Sequence, residues 1–508
     1  MKKGSLIKST VIVMFMAIIS RFIGFIRDVI IANNFGASTY TDAYKAAATI
    51  PETIFMIVGL AISTAFLPML SKVRVEKGTK EMHKFANNII NILFIISIAI
   101  FTIASFFPEQ IVWAIAGGFN SETMELATNL TRIVLINLVF LSVNACFTAL
   151  LQVHEDFVIP SILGLFFNLP IIIYLLVFKN CDIYGLTIAN VIGNFLRVVV
   201  QVPSLRKHGY RYKLFINLKD ERVKGIVILI LPVLIGAGAN SLNLIVDKRI
   251  ASGLVEGAMT TLDNAQLLIT FINTIVTTSI STVIYPVLAN RRNEGNNREF
   301  REVLSKAVIY LGILLIPITA GMLIYGGDIV RLVYMRGEYT EYAAQLATLA
   351  LLGYTFGIFF TGVRDILNST LFSMGQTKIT ATNGVVGVII NIVLSIVFSR
   401  FFGIAGIAVA SSIAMVVTAL LLFRSIIKLE GQIDIKLLLL KLVRIIIATL
   451  VMVLVVLLVN IISINLPVIA SLAIGSIIGG VVYFISVYKL KVEEVMEVMT
   501  FILKKIRP

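Results

Sequence analysis

Stretches of about 20 apolar residues recur from one end of this 508-residue chain to the other, each long enough to cross some 30 Å of hydrocarbon. Inside a bilayer every backbone N–H and C=O must be satisfied within the chain, so such stretches fold as helices. Charged residues make up only 14% of the chain, against roughly a quarter in soluble domains, and the mean hydropathy is +0.97. The expected fold class is an all-α polytopic membrane protein, with no room for a large soluble domain. Fourteen spans are expected, approximately at 9–32, 42–71, 86–107, 126–151, 158–178, 184–203, 225–250, 259–289, 307–325, 342–372, 379–399, 403–423, 442–463 and 466–488. The start, MKKGSLIK, resembles the basic region of a signal peptide. The segment after it carries internal charges and no small-residue cleavage site, so it reads as a retained first helix. Cys146 and Cys181 lie in or beside apolar segments without CxxC spacing, which argues against a disulfide framework or metal site.

A net charge of +15 raises the question of nucleic acid, and its distribution answers it. With both termini inside, the outer loops hold only Lys179, Arg331, Arg336 and Arg400 of the 43 Lys and Arg residues, and most of the rest fall in cytoplasmic segments. That asymmetry is the positive-inside pattern of a multi-pass membrane protein, not a nucleic-acid surface. The segment 205–224 alone carries seven basic residues. It reads as a cytoplasmic retention signal, with binding to anionic lipid headgroups as the alternative. The tail 491–508 reads as a cytoplasmic amphipathic helix.

The chain repeats itself. ISTAFLPML (Ile62–Leu70) and ISTVIYPVL (Ile280–Leu288) share Ile-Ser-Thr and Pro-x-Leu at one spacing. Gly164 and Asn168 match Gly387 and Asn391; GLTIAN (Gly185–Asn190) echoes GIAVAS (Gly406–Ser411); Asp28 falls opposite Asp247, each followed four residues later by Ala. Six spans per copy is an even number, so the two lobes enter the membrane alike, as parallel repeats around a central cavity. The expected organisation is a lobe at 1–204, a basic cytoplasmic linker at 205–224, a second lobe at 225–428, spans thirteen and fourteen within 429–490, and the tail. The last two spans are either accessory packing helices or a groove for a lipid tail.

Against this apolar background, charges stand out. Val11–Ile31 is almost wholly apolar yet contains Arg21, Arg27 and Asp28. A charge inside a spanning helix is costly and normally faces a partner or a water-filled cavity. Arg21 and Asp28, seven residues apart, share a helical face with Gly24 between them; Arg27 points about 120° from Arg21. In the second span Asp42, Lys45, Thr49 and Glu52 form one polar stripe beside Pro51, an expected kink. Arg132 and Arg197 add positive charge. Structural ion pairing would account for such a set, but a buried pair adds little stability over an apolar one. A substrate-facing role for Arg21 and Arg27 explains it better. The planar guanidinium suits phosphate, so the expected substrate is anionic. In the second lobe Asp247 with Asn391 could hold a small cation such as sodium, or Asp247 could pair with a neighbouring cation. Asp247, Lys248 and Arg249 close the seventh span at its outer end, Asp263 begins the eighth, and Arg364–Asp365 sit in the tenth. HExxH, GxSxG, the P-loop and the dinucleotide-binding glycine pattern are all missing, so no enzyme is expected. His83, His154 and His208 lie in cytoplasmic loops and do not cluster by spacing.

SRFIGFIRDVIIANNFGASTYTDAY (Ser20–Tyr44), LPML, VDKRIASGL, YPVLA, MRGEYT (Met335–Thr340) and VRDILNSTLFSMGQTK (Val363–Lys378) together resemble the MurJ (MviN) family of lipid II flippases, within the multidrug, oligosaccharidyl-lipid and polysaccharide exporter superfamily. The resemblance covers essentially the whole chain. It implies a cationic cavity for a diphosphate–sugar headgroup, lined by Arg21, Arg27, Asp28 and Asp42, with the polyprenyl tail near spans thirteen and fourteen and a sodium-site aspartate at Asp247. It also implies lipid-linked sugar diphosphate as cargo, membrane lipids as surroundings and cell-wall synthesis proteins as partners. Two family arginines are replaced: one in the second span by Phe55 or Met56, one in the eighth by Gln266. Lys45, on the polar stripe, is positioned to replace one of them. The expected substrate-binding set is therefore Arg21, Arg27, Asp28, Asp42, Lys45, Glu52 and Gln266, the expected sodium site Asp247 and Asn391, and no other cofactor is expected. The leading function is translocation of lipid II from inner to outer leaflet by alternating access. The alternatives are a flippase for another undecaprenyl-linked unit, a cation-coupled multidrug exporter, and a membrane glycosyltransferase, which the short outer loops disfavour.

Overall fold

A computed structural model of the chain describes residues 3–431, 434–463 and 465–497. Its principal elements are α1 (Lys3–Phe35), α2 (Thr39–Ala61), α3 (Leu67–Phe106), α4 (Pro108–Ala116), α5 (Ser121–Val134), α6 (Asn137–Val153), α7 (Val158–Val177), α8 (Ile183–Lys207), α9 (Glu221–Ser252), α10 (Ala258–Asn293), α11 (Asn297–Tyr334), α12 (Glu341–Thr355), α13 (Ile358–Ser373), α14 (Thr377–Glu430), α15 (Ile435–Ile462) and α16 (Val468–Lys489). Among the described residues no strand occurs.

Among the described residues eight helical stretches are long and apolar enough to cross a membrane, and two bent pairs, α5 with α6 and α12 with α13, bring that to ten. Two of the stretches each hold two expected spans: Thr39–Phe106 holds the second and third, and Thr377–Glu430 the eleventh and twelfth. The remaining expected spans fall on α1 and α9, so the helices are consistent with fourteen. The chain reverses inside α3 at Gly78 (φ 82°) and inside α14 at Gly403 (φ 56°), left-handed conformations that a side chain would strain. Both reversals fall at or near expected span ends. α2 runs through Pro51 as one helix. Between α2 and α3, Ile62–Phe66 form a π-helical turn just before Pro68. Proline lacks an N–H for the Thr64 carbonyl and crowds it, which loosens the turn there. Helix starts are capped as their sequences suggest: Asn120, Asp182, Asp220, Asn296 and Asp434 each accept from a first-turn N–H.

The chain divides into two compact units. The first comprises Met1–Thr260 with Arg336–Thr340, the second Thr261–Met335 with Glu341–Pro508. The sequence repeat divides near the basic segment 205–224, whereas packing keeps α9 in the first unit, where it lies against α2 and α4. In that unit α1 packs on α7, α7 on α8, α3 on α6 and α2 on α5. A core of Phe66, Leu70, Met82, Phe85, Leu150 and Leu151 lies between α3 and α6. The MRGEYT motif has a structural reason. Its Glu338 N–H donates to the Asn33 carbonyl (3.0 Å), and a Cβ on Gly337 or Gly36 would collide with facing backbone.

The basic segment is a pinned strap. Asn88 exchanges bonds with Asn217 (Nδ2 to O, 3.0 Å; N to Oδ1, 2.6 Å), Asn87 Nδ2 donates to the Arg211 carbonyl (3.2 Å), and Asn91 Nδ2 donates to those of Lys213 and Phe215 (3.0 and 3.1 Å). Three buried asparagines of α3 thus replace a strand partner for an extended segment.

In the second unit α12 and α13 pack on α14, α11 on α12, α13 and α15, and α15 on α16. After α16 the chain folds back: Lys441 Nζ meets Glu493 (2.6 Å) and Glu494 (2.7 Å), and Lys306 Nζ meets Glu497 (3.0 Å). The expected amphipathic tail 491–508 is helical at 493–497; residues 498–508 lie outside the described residues.

Candidate functional site

Small residues bring α1 against α7. Gly24 stands beside Asn168, and Gly164 faces Ser20 so closely that a Cβ would collide with its hydroxyl. That approach lets Arg27 reach across. Its Nη1 donates to Asn168 Oδ1 (2.9 Å), while its Nη2 donates to Asp28 Oδ1 (3.0 Å) and Oδ2 (2.9 Å). Lys45 Nζ, from α2, lies 3.8 Å from Asp28 Oδ1. Asp28 is 8% exposed, so one buried carboxylate is shared by two cations.

Phe167 of α7 extends the cluster. Arg27 stands 5.3 Å from its ring centroid and Arg197 of α8 stands 4.1 Å from it, contacts that favour a cation over a π face. Arg197 Nη1 donates to Asn194 Oδ1 (3.1 Å). Among the described residues the buried Nε atoms of Arg27 and Arg197 find no hydrogen-bond partner, leaving donor capacity. Beside them lies a cavity of about 180 Å³, lined by Pro51, Glu52, Phe55, Asn190, Asn194 and Arg197 among others. Its back wall is a polar chain: Asn137 Nδ2 to Asn190 Oδ1 (3.0 Å), and Asn190 Nδ2 to the Tyr44 hydroxyl (2.9 Å). Around this site Arg27, Lys45 and Arg197 outnumber Asp28 and Glu52.

The structure sorts the expected residues. Arg27, Asp28 and Lys45 come together, and Glu52 lines the cavity. Arg21 does not join Asp28, although they share a helical face: it is exposed, with no hydrogen bond or ion pair among the described residues. The helical angle between Arg27 and Asp28 is bridged by the length of the arginine side chain. Asp42 is also separate from the cluster. It is buried and accepts from Thr260 N (2.8 Å) and Oγ1 (2.6 Å). Glu256 Oε1 likewise accepts from Thr39 N (3.1 Å) and Oγ1 (2.6 Å), at the start of α2. Arg132 is exposed and bonded to Asn129 (3.2 Å). Gln266 is exposed on α10 in the second unit. Sequence reasoning passed over Phe167, Asn137, Asn190 and Asn194 as site residues. A signal existed: Asn190, Asn194, Arg197 and Gln201 recur at helical spacing on one face of α8.

Asp247 and Asn391 lie in different units. Asp247 is buried and accepts from Asn243 Nδ2 (3.3 Å). Asn391 donates to Ser411 Oγ (3.1 Å) and accepts from Ser395 Oγ (2.8 Å). The second unit has its own adjacent pair, Arg364 with Asp365 (2.7 Å). It also has a groove of about 300 Å³ between α11, α15 and α16, lined by Pro317, Gly321, Met452, Gly475, Gly479 and Tyr483 among others.

The histidines, by contrast with their sequence spacing, gather at one place. His83 Nε2 lies 3.1 Å from His154 Nε2, His154 stacks on His208 (centroids 4.7 Å apart, 16°), and His208 Nε2 is 3.6 Å from Asp156 Oδ2. Burial pushes the His154 pKa down to about 4, assisted by His208, His83 and Arg74, and also lowers that of His83. Among the described residues no three His, Cys, Asp or Glu converge on a metal position.

The family model described as Lipid II flippase MurJ matches residues 31–477. Among curated relatives, the probable lipid II flippase MurJ of Vibrio cholerae is 28% identical, covering 83% of either chain. The lipid II flippase MurJ of Thermosipho africanus is 26% identical, covering 83% of this chain and 86% of that protein. A solved structure titled as lipid II flippase MurJ in an inward closed conformation superposes with TM-score 0.84 at 26% identity, covering 95% of this chain and 99% of that one. A multidrug-resistance transporter of the MATE family superposes at 0.68 with 12% identity, a likeness of fold alone.

Proposed function

The chain belongs to the lipid II flippase MurJ family, and from that premise we propose that it carries a polyprenyl-diphosphate-linked saccharide, in the first place lipid II, from the cytoplasmic to the outer leaflet. It is a multi-pass protein of the bacterial inner membrane, read here with both termini cytoplasmic on the evidence of its basic segments.

The observation that carries this reading is Asp28 held between Arg27 and Lys45 with Arg197 close by. Arg27, Lys45 and Arg197 gather around Asp28 and Glu52, and a cluster with more cations than carboxylates suits a diphosphate. The Arg27 Nη2 that Asp28 now holds, with the guanidinium plane behind it, suits phosphate equally, so the cargo competes for a donor already aligned. Arg197, braced on Phe167, adds a second cation at the cavity. Arg21, exposed and uncommitted, is suited to meet the headgroup first. The apolar groove along α11, α15 and α16 suits a polyprenyl chain, whose transfer out of hydrocarbon would be costly. No bond is made or broken; the residues exchange ionic partners as the headgroup passes.

Sodium coupling through Asp247, the buried carboxylate of α9, is the accompanying proposal for the energy source. Bound sodium would supply coupling to an ion gradient, while Asp247 and Asn243 would hold it. Transport in sodium-loaded and sodium-free liposomes decides it: an unchanged rate ends the idea.

Phe55 lines the cavity, and the resemblance implies an arginine at Phe55 or Met56; its replacement favours a second reading, an undecaprenyl-linked unit other than lipid II. Liposomes loaded with labelled lipid II and a non-peptide sugar-lipid test both. The main proposal expects lipid II to flip faster and Arg27→Ala to stop it; transport of neither lipid, or undiminished transport by R27A, refutes it.

A further inference from the structure

On the strap side of the first unit, a cavity of about 560 Å³ opens between α6, the end of α8 and the strap, lined by Phe147, Val202, Leu205, Arg206 and Tyr210–Tyr212. That volume is within the range of organic ligand sites. Its floor is apolar and rigid. Phe147, Leu205 and Tyr210 are buried, and the Tyr210 hydroxyl is anchored on Asn87 Oδ1 (2.7 Å). Its rim is cationic and uncommitted. Arg206 and Arg211 are exposed, and neither guanidinium forms a hydrogen bond or ion pair among the described residues. The Asn87 bond to the Arg211 carbonyl and the Asn91 bond to the Tyr212 hydroxyl (2.6 Å) hold the backbone that carries this rim.

The cavity continues into an apolar track. Ile188, Ile192, Phe195 and Val199 are 40–49% exposed and recur at steps of four and three along α8, in line with Val202 and then Arg206. From Arg206 back to Phe195 the helix rises about 16 Å, the depth of one leaflet of hydrocarbon, and Ile192 and Ile188 continue the line beyond it. The track lies on the opposite side of α8 from Arg197, away from the charged site.

We propose that this is a binding site for one anionic phospholipid, with its phosphodiester between Arg206 and Arg211 and an acyl chain along the α8 track. An apolar floor, a paired guanidinium rim at the proposed headgroup level and a track of leaflet length match a single-phosphate lipid better than a soluble anion, which needs no track. Basic residues that served only to orient the chain would need neither the cavity nor the asparagine anchoring. The site is separate from the cargo cluster, so its failure leaves the transport reading standing.

The test is native mass spectrometry of the delipidated full chain, titrated with equimolar phosphatidylglycerol and phosphatidylcholine. Phosphatidylglycerol should be retained about tenfold over phosphatidylcholine, a difference of about 1.4 kcal/mol. The preference should collapse in Arg206→Gln/Arg211→Gln and persist in Lys219→Gln/Lys224→Gln, which removes the same charge elsewhere on the segment. Equal retention of the two lipids, equal loss in both double variants, displacement by millimolar inorganic phosphate, or displacement by a polyprenyl diphosphate each overturns the proposal. The last two results would identify a free-phosphate site and a cargo port respectively. Should the arginine variant fail to fold, a headgroup-photoreactive phosphatidylglycerol on the wild-type protein decides the matter. Crosslinks within 202–212 support the site, and crosslinks elsewhere refute it.

Discussion

Arg27 clasps its own chain neighbour Asp28, donating from one nitrogen to both carboxylate oxygens at 3.0 and 2.9 Å, while its other terminal nitrogen reaches Asn168 on α7. Adjacent helical residues point about 100° apart, so only a long, forked side chain closes such a contact.

Arg27→Ala should abolish lipid flipping, and Arg27→Lys should retain only a small part of it, because an ammonium cannot present two parallel donors. Asp28→Asn leaves Arg27 without its counter-charge; cargo binding should tighten while turnover falls. Headgroup affinity and flipping rate, measured separately in liposomes, check this. A fall of both together in D28N would contradict the exchange of partners.

Asp42 accepts two bonds from Thr260, in the first turn of α10. Asp42→Ala should cost roughly 0.5–2 kcal/mol, as loss of a helix cap does. A double-mutant cycle with Thr260→Val, followed by thermal unfolding in detergent, should give a non-additive coupling. Additive effects would mean that the hydroxyl bond contributes nothing beyond the backbone one.

Asn88 is fully buried and exchanges two bonds with the Asn217 backbone. Asn88→Ala strands both groups at about 1–3 kcal/mol. The strap should then open locally, and limited trypsinolysis should cut first after Arg211 or Lys213. An unchanged cleavage pattern would show that the other two asparagines suffice.

His154 is held neutral, with its pKa pushed down to about 4 from an ordinary 6.5. The unfolded chain binds that proton more readily, so the contribution of His154 to stability is full above about pH 6.5 and falls away as pH drops towards 4. The melting temperature should decline over that window. His154→Gln, which keeps a polar side chain but cannot titrate, should flatten the decline; an equal slope in the variant would place the effect elsewhere.

Much of the architecture was legible in the chain before folding. Apolar lengths mark the spans, and every expected span overlies a helix. The repeat and the family motifs point to the fold shared with the solved flippase. Charges at Arg27, Asp28 and Lys45, out of place in hydrocarbon, mark the site. The bilayer enforces these signals residue by residue, through span length and backbone satisfaction, so local sequence is enough to reveal them.

What meets what was settled only by packing. Arg21 shares a helical face with Asp28 yet stands apart, while Arg27 joins Asp28, Asn168 and Phe167 because Gly24 and Gly164 let α1 and α7 approach. Three histidines spaced far apart in sequence converge, and a basic segment that reads as a linker becomes a strap on three asparagines. These partners come from different helices. Helical periodicity specifies the direction in which a side chain leaves its own axis, and only the close approach of two axes specifies what it touches.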